Sequence, residues 1–194
     1  ATPEGMIIIN VLKETINFKV GDNVSGKIDL ERRTQLAQHH TATHILTGSA
    51  RRVLGDHIWQ AGAAKTVEKS RLDITHYEQL TAEEINEIEK VANSIIDENR
   101  PVFKQFMARD TAEAKYGFRL YQGGAVPGKR LRIVNIDGFD VEACGGTHLD
   151  VTGDVGHIKI LKTSKIQDGV VRLEFVAGNA ADKAMNLNES VLTD

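Results

Sequence analysis

The spacing of apolar positions changes several times along the chain, and each change marks an element. Residues 6–12 form a β-branched, apolar run, and residues 16–20 alternate with period two. A turn at Gly21-Asp22-Asn23 leads to Val24 and then to residues 27–30. Residues 1–33 therefore read as a small β-rich, barrel-like appendage that needs another surface to pack on. From residue 34 the period lengthens. Leu36, Ala37, His40, His44, Ala50, Val53 and Leu54 recur at helical steps, with Thr34 as N-cap and Gly55 just past the end, so residues 34–54 are predicted as a helix. Residues 58–74 return to a short, strand-like pattern broken at Ala61-Gly62-Ala63. Thr81-Ala82-Glu83-Glu84 is a capping box, and Ile85, Ile88, Val91, Ala92, Ile95 and Ile96 form one stripe that Pro101 ends. Residues 102–107 read as a strand. Residues 110–116 read as a short helix boxed by Asp110 and Glu113 and stopped by Gly117. Strands follow at 131–136 and 139–143 around the turn Asp137-Gly138, then at 157–161 and 170–176. Residues 181–194 are a tail or the start of the next domain, entered by a helix. The class is α+β, with a mainly antiparallel sheet carrying helices on one face, and residues 34–180 form its core.

Composition narrows the possibilities. The 194 residues hold 24 Lys+Arg against 27 Asp+Glu, a net charge of −3, which opposes wholesale binding to a polyanion but permits a local basic track. At 41% hydrophobic and 26% charged, the chain is a globular protein rather than a disordered one. Nothing in it is long and apolar enough to span a bilayer or to act as a secretory signal. The single cysteine, Cys144, excludes an intrachain disulfide and favours a reducing, cytoplasmic setting.

That cysteine and seven histidines hold the candidate chemistry. His40 and His44 are four residues apart, so on a helix they share a face one turn apart. About a hundred residues later, at a strand end, comes Cys144-Gly145-Gly146-Thr147-His148, whose glycines let the loop fold back. Three imidazoles and one thiolate make a ligand set better suited to Zn²⁺ than to Mg²⁺ or Ca²⁺. It is not the metalloprotease signature, because Thr41 stands where that motif has its Glu. His39 points about 100° away from His40 and reads as a surface residue or a support to the site. His57 and His157 read as structural or exposed, and for His76 orienting a loop over the site is the lesser of two readings, a structural role being the main one.

Several segments resemble a known family in the same order. They are residues 39–46 (HHTATHIL), 53–57 with Gln60 and Gly62, 71–73 (RLD), and 144–148 (CGGTH) followed by 152–156 (TGDVG). Together they are similar to the editing domain of alanyl-tRNA synthetase and to free-standing alanyl-tRNA editing proteins, across residues 1–180. The stretch 116–124 is archaeal in character. The resemblance implies hydrolysis of Ser-tRNA(Ala) and Gly-tRNA(Ala) with Ala-tRNA(Ala) spared. It implies one zinc on His40, His44, Cys144 and His148, and a place for Gln60 in the editing pocket. Ala63 departs from a small hydroxyl residue common in relatives. The aminoacylation domain of the full synthetase, with its ATP site, has no counterpart in these residues.

On this reading Gln60, Thr43 and Thr41 are the polar contacts of the reaction. Arg71, Lys65, Lys129, Arg130 and Arg132 are the candidate RNA contacts, and the partners are the acceptor end of tRNA(Ala) and the rest of a synthetase chain. Six Phe, three Tyr and one Trp leave little stacking surface, so affinity for tRNA is expected to be weak. Three other readings share the ligands: a non-catalytic zinc-stabilised RNA-binding module, a metal-dependent hydrolase of small esters or amides, and a threonyl-tRNA-synthetase-like editing domain.

Overall fold

A computed structural model describes residues 19–124 and 126–192. The strand expected at 6–12, and most of that at 16–20, lies outside them. Helix α1 (Leu30–Leu54) starts four residues before the expected position. Asp29 caps it, its carboxylate accepting from the Arg32 amide at 3.0 Å, so Thr34 lies inside the helix. The strand expected at 27–30 is not formed: residues 24–29 have no regular structure and Leu30 is helical.

Helix α1 is buried along most of its length and on every side, including Gln35, Gln38, His39, Thr41, Thr43, His44, Thr47 and Ser49. A helix surrounded by protein must satisfy its own polar groups. Thr43, Thr47 and Ser49 donate to carbonyls one turn back, at His39, Thr43 and Ile45. Gln35 donates to the Ala177 carbonyl at 2.9 Å, and Gln38 to that of Asp154 at 3.1 Å.

The strands form two antiparallel sheets rather than one. In the first, β1 (Gln60–Lys65), β2 (Ser70–Thr75), β6 (Ile158–Gln167) and β7 (Val170–Ala177) lie in the order β1-β2-β7-β6. In the second, β3 (Val102–Ala108), β4 (Arg130–Ile136) and β5 (Asp140–Ala143) lie in sequence order. Ala61-Gly62-Ala63 does not interrupt β1. It carries a bulge between Gln60 and Gly62, and the chain turns at 66–69, where the Thr66 amide donates to the Lys69 carbonyl.

Helix α2 (Ala82–Asp97) has the expected capping box and buries Ile88, Ala92, Ile95 and Ile96. Helix α3 (Arg109–Tyr116) runs directly out of β3, so its N-cap is Ala108 and no Asp110 box forms. Helix α4 (Asn179–Leu192) takes up the C-terminal end. Ile45, Leu46, Ile88, Val134, Ile136, Leu173 and Phe175 share one core between α1, α2 and both sheets. Each fully buried large side chain there contributes about 1.5–3 kcal/mol. No helix among the described residues is long and apolar enough to cross a membrane.

Candidate metal centre

Helix α1 and the loop after β5 meet so that the donor atoms of His40, His44, Cys144 and His148 all lie within 4.8 Å of one another. Cys144 Sγ is 3.3 Å from Nε2 of His40 and 3.3 Å from Nε2 of His148. The His148 ring centroid is 4.2 Å from that of His40 and 4.4 Å from that of His44. The close approach depends on Gly146, because a methyl group there would overlap the His40 ring. Gly145 has open space around its Cα, so only one of the two glycines is demanded by packing.

Two of the ligand rings are held from behind, and the loop that carries Cys144 is held by its backbone. His44 Nε2 lies 3.0 Å from Glu142 Oε2, both side chains being buried. Its Nδ1 is buried with no hydrogen-bond partner among the described residues and is left as the free donor nitrogen. Behind Glu142, the buried Asp140 carboxylate lies within 4.8 Å of it and forms an ion pair with Arg51 at 3.1 Å. Thr41 Oγ1 accepts the Leu149 amide at 3.2 Å and lies 3.4 Å from Nδ1 of His148, which leaves the Nε2 of that ring facing Cys144. Arg132 grips the loop, with one guanidinium nitrogen donating to the carbonyls of Cys144 and Gly146, both at 2.8 Å.

Burial governs the protonation of this group. Desolvation lowers His40 to about 4 and His148 to about 2, and holds His44 well below its ordinary value. Nearby cationic or imidazole groups add to each shift. All three rings are therefore neutral donors at physiological pH. Desolvation raises the Cys144 thiol, and a bound cation favours the thiolate. A buried cluster of three neutral imidazoles and one sulfur, with an orphaned nitrogen inside it, fits a borderline-soft metal ion.

Other residues singled out from the sequence have different surroundings. His39 is fully buried rather than at the surface. Its Nδ1 donates to the Thr66 carbonyl at 2.8 Å and its Nε2 faces the Gln35 amide, so it fastens α1 to the first sheet. Thr43 lies on the His39 side of α1 and its hydroxyl is spent on the His39 carbonyl. Thr41 is fully buried and supports His148. His76 pairs with His57, Nδ1 to Nε2 at 2.9 Å, and does not join the four. Gln60 opens β1, where its backbone N–H donates to Gln122 Oε1 at 3.1 Å. Arg71 is tied to Asp73, which also binds Arg172, and Arg132 is occupied by the loop. Lys65 is partly buried close to Cys144 and Glu142, and desolvation lowers its pKa. Lys129 and Arg130 are exposed.

Glu142 was not singled out from the sequence. Its signal is an alternation in which β5 turns its acidic positions, Asp140 and Glu142, inward. That pattern becomes intelligible only once His44 and Arg51 are seen facing the two carboxylates.

Residues 131–174, which take in all of β4 but its first residue, then β5, the Cys144–His148 loop, β6 and the start of β7, match the threonyl and alanyl tRNA synthetase second additional domain. Nearly the whole chain is similar to alanine–tRNA ligases. It is 50% identical over 190 residues to that of Methanothermobacter thermautotrophicus, covering 98% of this chain and 21% of the relative. For Methanobrevibacter smithii the figures are 55% over 174 residues, 89% and 19%. For Ignicoccus hospitalis they are 52% over 188 residues, 96% and 21%. The resemblance drawn from the motifs is borne out, and the chain spans about a fifth of the length of these archaeal relatives.

Proposed function

We propose that this chain hydrolyses the ester of tRNA(Ala) mischarged with serine or glycine, sparing alanyl-tRNA(Ala), as the editing part of an alanine–tRNA ligase. His40, His44, Cys144 and His148 hold one Zn²⁺. The observation that carries the reading is the convergence of those four donors, from helix and loop, in a chain similar to alanine–tRNA ligases. When bound, zinc supplies a Lewis acid that polarises the ester carbonyl and lowers the pKa of water.

The protein side of the reaction is positioning. Glu142 and Thr41 hold the two rings whose far nitrogens they face. Arg132 fixes the backbone of the Cys144 loop. Lys65 places a cation beside the group, suited to an electron-rich carbonyl or a phosphate. Gln60 contacts the aminoacyl group. An apolar pocket resolves one methyl by only about 1–3 kcal/mol, so separating serine from alanine needs a polar partner that alanine leaves unpaired. Gln60 is the proposed partner, because the Thr43 hydroxyl is already bonded within α1.

The test is deacylation of Ser-, Gly- and Ala-charged tRNA(Ala), with metal content measured on the same sample. Loss of serine and glycine with retention of alanine is expected, and it should disappear on chelation of a still-folded protein. Intact Ser-tRNA(Ala) on metal-loaded protein overturns the reading in favour of a non-catalytic RNA-binding module. Equal turnover of free aminoacyl esters points to a small-ester hydrolase, and selective discharge of Ser-tRNA(Thr) to the threonyl type.

A further inference from the structure

The three-stranded sheet turns one face toward α1, and that face continues beyond the part the helices cover. Register defines it: Val102 lies opposite Ile136, Lys104 opposite Val134, Phe106 opposite Arg132 and Ala108 opposite Arg130, with Val134 also opposite Glu142. Directly paired residues share a face. At one end Val102, Val134 and Ile136 are in the core and Glu142 touches His44. In the middle, Arg132 holds the carbonyls of Cys144 and Gly146, and Lys104 donates to the Leu149 carbonyl at 2.9 Å. At the other end Phe106 is 65% exposed, and the Arg130 guanidinium carbon lies 5.9 Å from its ring centroid. The donor cluster thus sits where the buried part of the face gives way to the open part, one strand from Phe106.

Resting on the editing function proposed above, we infer that Phe106 and Arg130 form a stacking platform for an unpaired nucleobase of the tRNA 3′ end. Exposed aromatic rings flanked by arginine bind single-stranded nucleic acid by stacking and cation–π contact, with the cation also serving the phosphate. Charge on this strip favours that occupant, because neither Arg130 nor Arg132 is paired with a carboxylate among the described residues. Phe103, 51% exposed, lies on the opposite face of β3 and has no such relation to the cluster. A base held on Phe106 places the terminal ribose, and the ester it carries, over the Cys144 loop.

The experiment uses the metal-loaded chain and a short single-stranded RNA ending in CCA, with 2-aminopurine replacing the terminal adenine. Stacking quenches this probe without any hydrolysis. Wild type is expected to quench it, Phe106→Ala to bind roughly 5- to 100-fold more weakly at unchanged metal content, and Phe106→Trp to restore binding. With Ser-tRNA(Ala), Phe106→Ala should raise KM by a larger factor than it lowers kcat. Absence of quenching by the wild type, or equal binding by Phe106→Ala, overturns the platform. Phe106-dependent quenching with intact Ser-tRNA(Ala) would instead overturn the editing reading and leave the platform standing.

Discussion

Gly146 presses its Cα against the imidazole of His40 so tightly that no side chain can be accommodated between them. The contact joins two segments a hundred residues apart, and it explains why a glycine is needed in the middle of the loop. Gly146 does not adopt a left-handed backbone. Its requirement is for space, set by a neighbouring ring.

Gly146→Ala should therefore push the loop off His40. Overpacking of this kind costs about 1–3 kcal/mol, and metal affinity should fall about 10-fold or more because a shifted loop carries Cys144 and His148 with it. Gly145→Ala is the control, since a methyl there meets nothing within 4 Å. Competition with a chromogenic chelator measures both.

Glu142→Gln should weaken metal binding by about 10- to 100-fold, the usual effect of removing a carboxylate that orients a ligand histidine. The amide keeps the size of the side chain but can turn its NH₂ toward His44 Nε2, which removes the bias toward the tautomer with Nδ1 free. Co²⁺ substitution followed by visible absorption reports the altered ligand geometry independently of activity.

Acidification should destabilise the metal-free chain. Burial lowers His39, and lowers His40 to about 4 and His148 to about 2, against an ordinary 6.5. Below pH 6.5 the unfolded chain takes up protons that the folded chain does not, so this stability is complete above 6.5 and is lost as pH falls through 4. Glu142 has the opposite sign. Burial beside Asp140 lifts it well above 4.5, so its contribution is present below 4.5 and lost as pH rises through its folded value. Burial raises Asp140 too, with the same sign as Glu142. Four lowered imidazoles, His44 included, outnumber these two carboxylates, and urea midpoints should decline from pH 7 to pH 4. His40→Ala should flatten that slope.

Thr81→Ala should cost about 1 kcal/mol in denaturant unfolding and leave metal content unchanged. Both halves of the capping box are formed: the Glu84 amide donates to Thr81 Oγ1 at 3.2 Å, and the Thr81 amide to Glu84 Oε2 at 2.8 Å.

Elements with strong local signals were legible in advance. The apolar stripe of α2, the turn at Asp137-Gly138 and the four donors of the cluster follow from spacing alone. Helix α1 was harder. Its polar residues made Thr34 look like a start, whereas Asp29 caps it and the polar positions are buried among two sheets and α2. Thr43 and Arg132 looked like groups free to meet substrate or RNA, yet both are used internally. A hydroxyl or guanidinium has the same sequence signature whether it faces solvent, a ligand or a backbone carbonyl.

The amino-acid sequence by itself determined the helix and strand periods, the α+β class, the likeness to alanine–tRNA ligases and the identity of three imidazoles and one thiol. Those depend on local spacing, which the chain carries everywhere. Tertiary structure alone decided that the strands divide into two sheets, that Glu142 stands behind His44, and that Phe106 lies exposed one strand from the Cys144 loop. Each of these depends on which distant segments pair and which face is covered, and no local pattern encodes the burial that results.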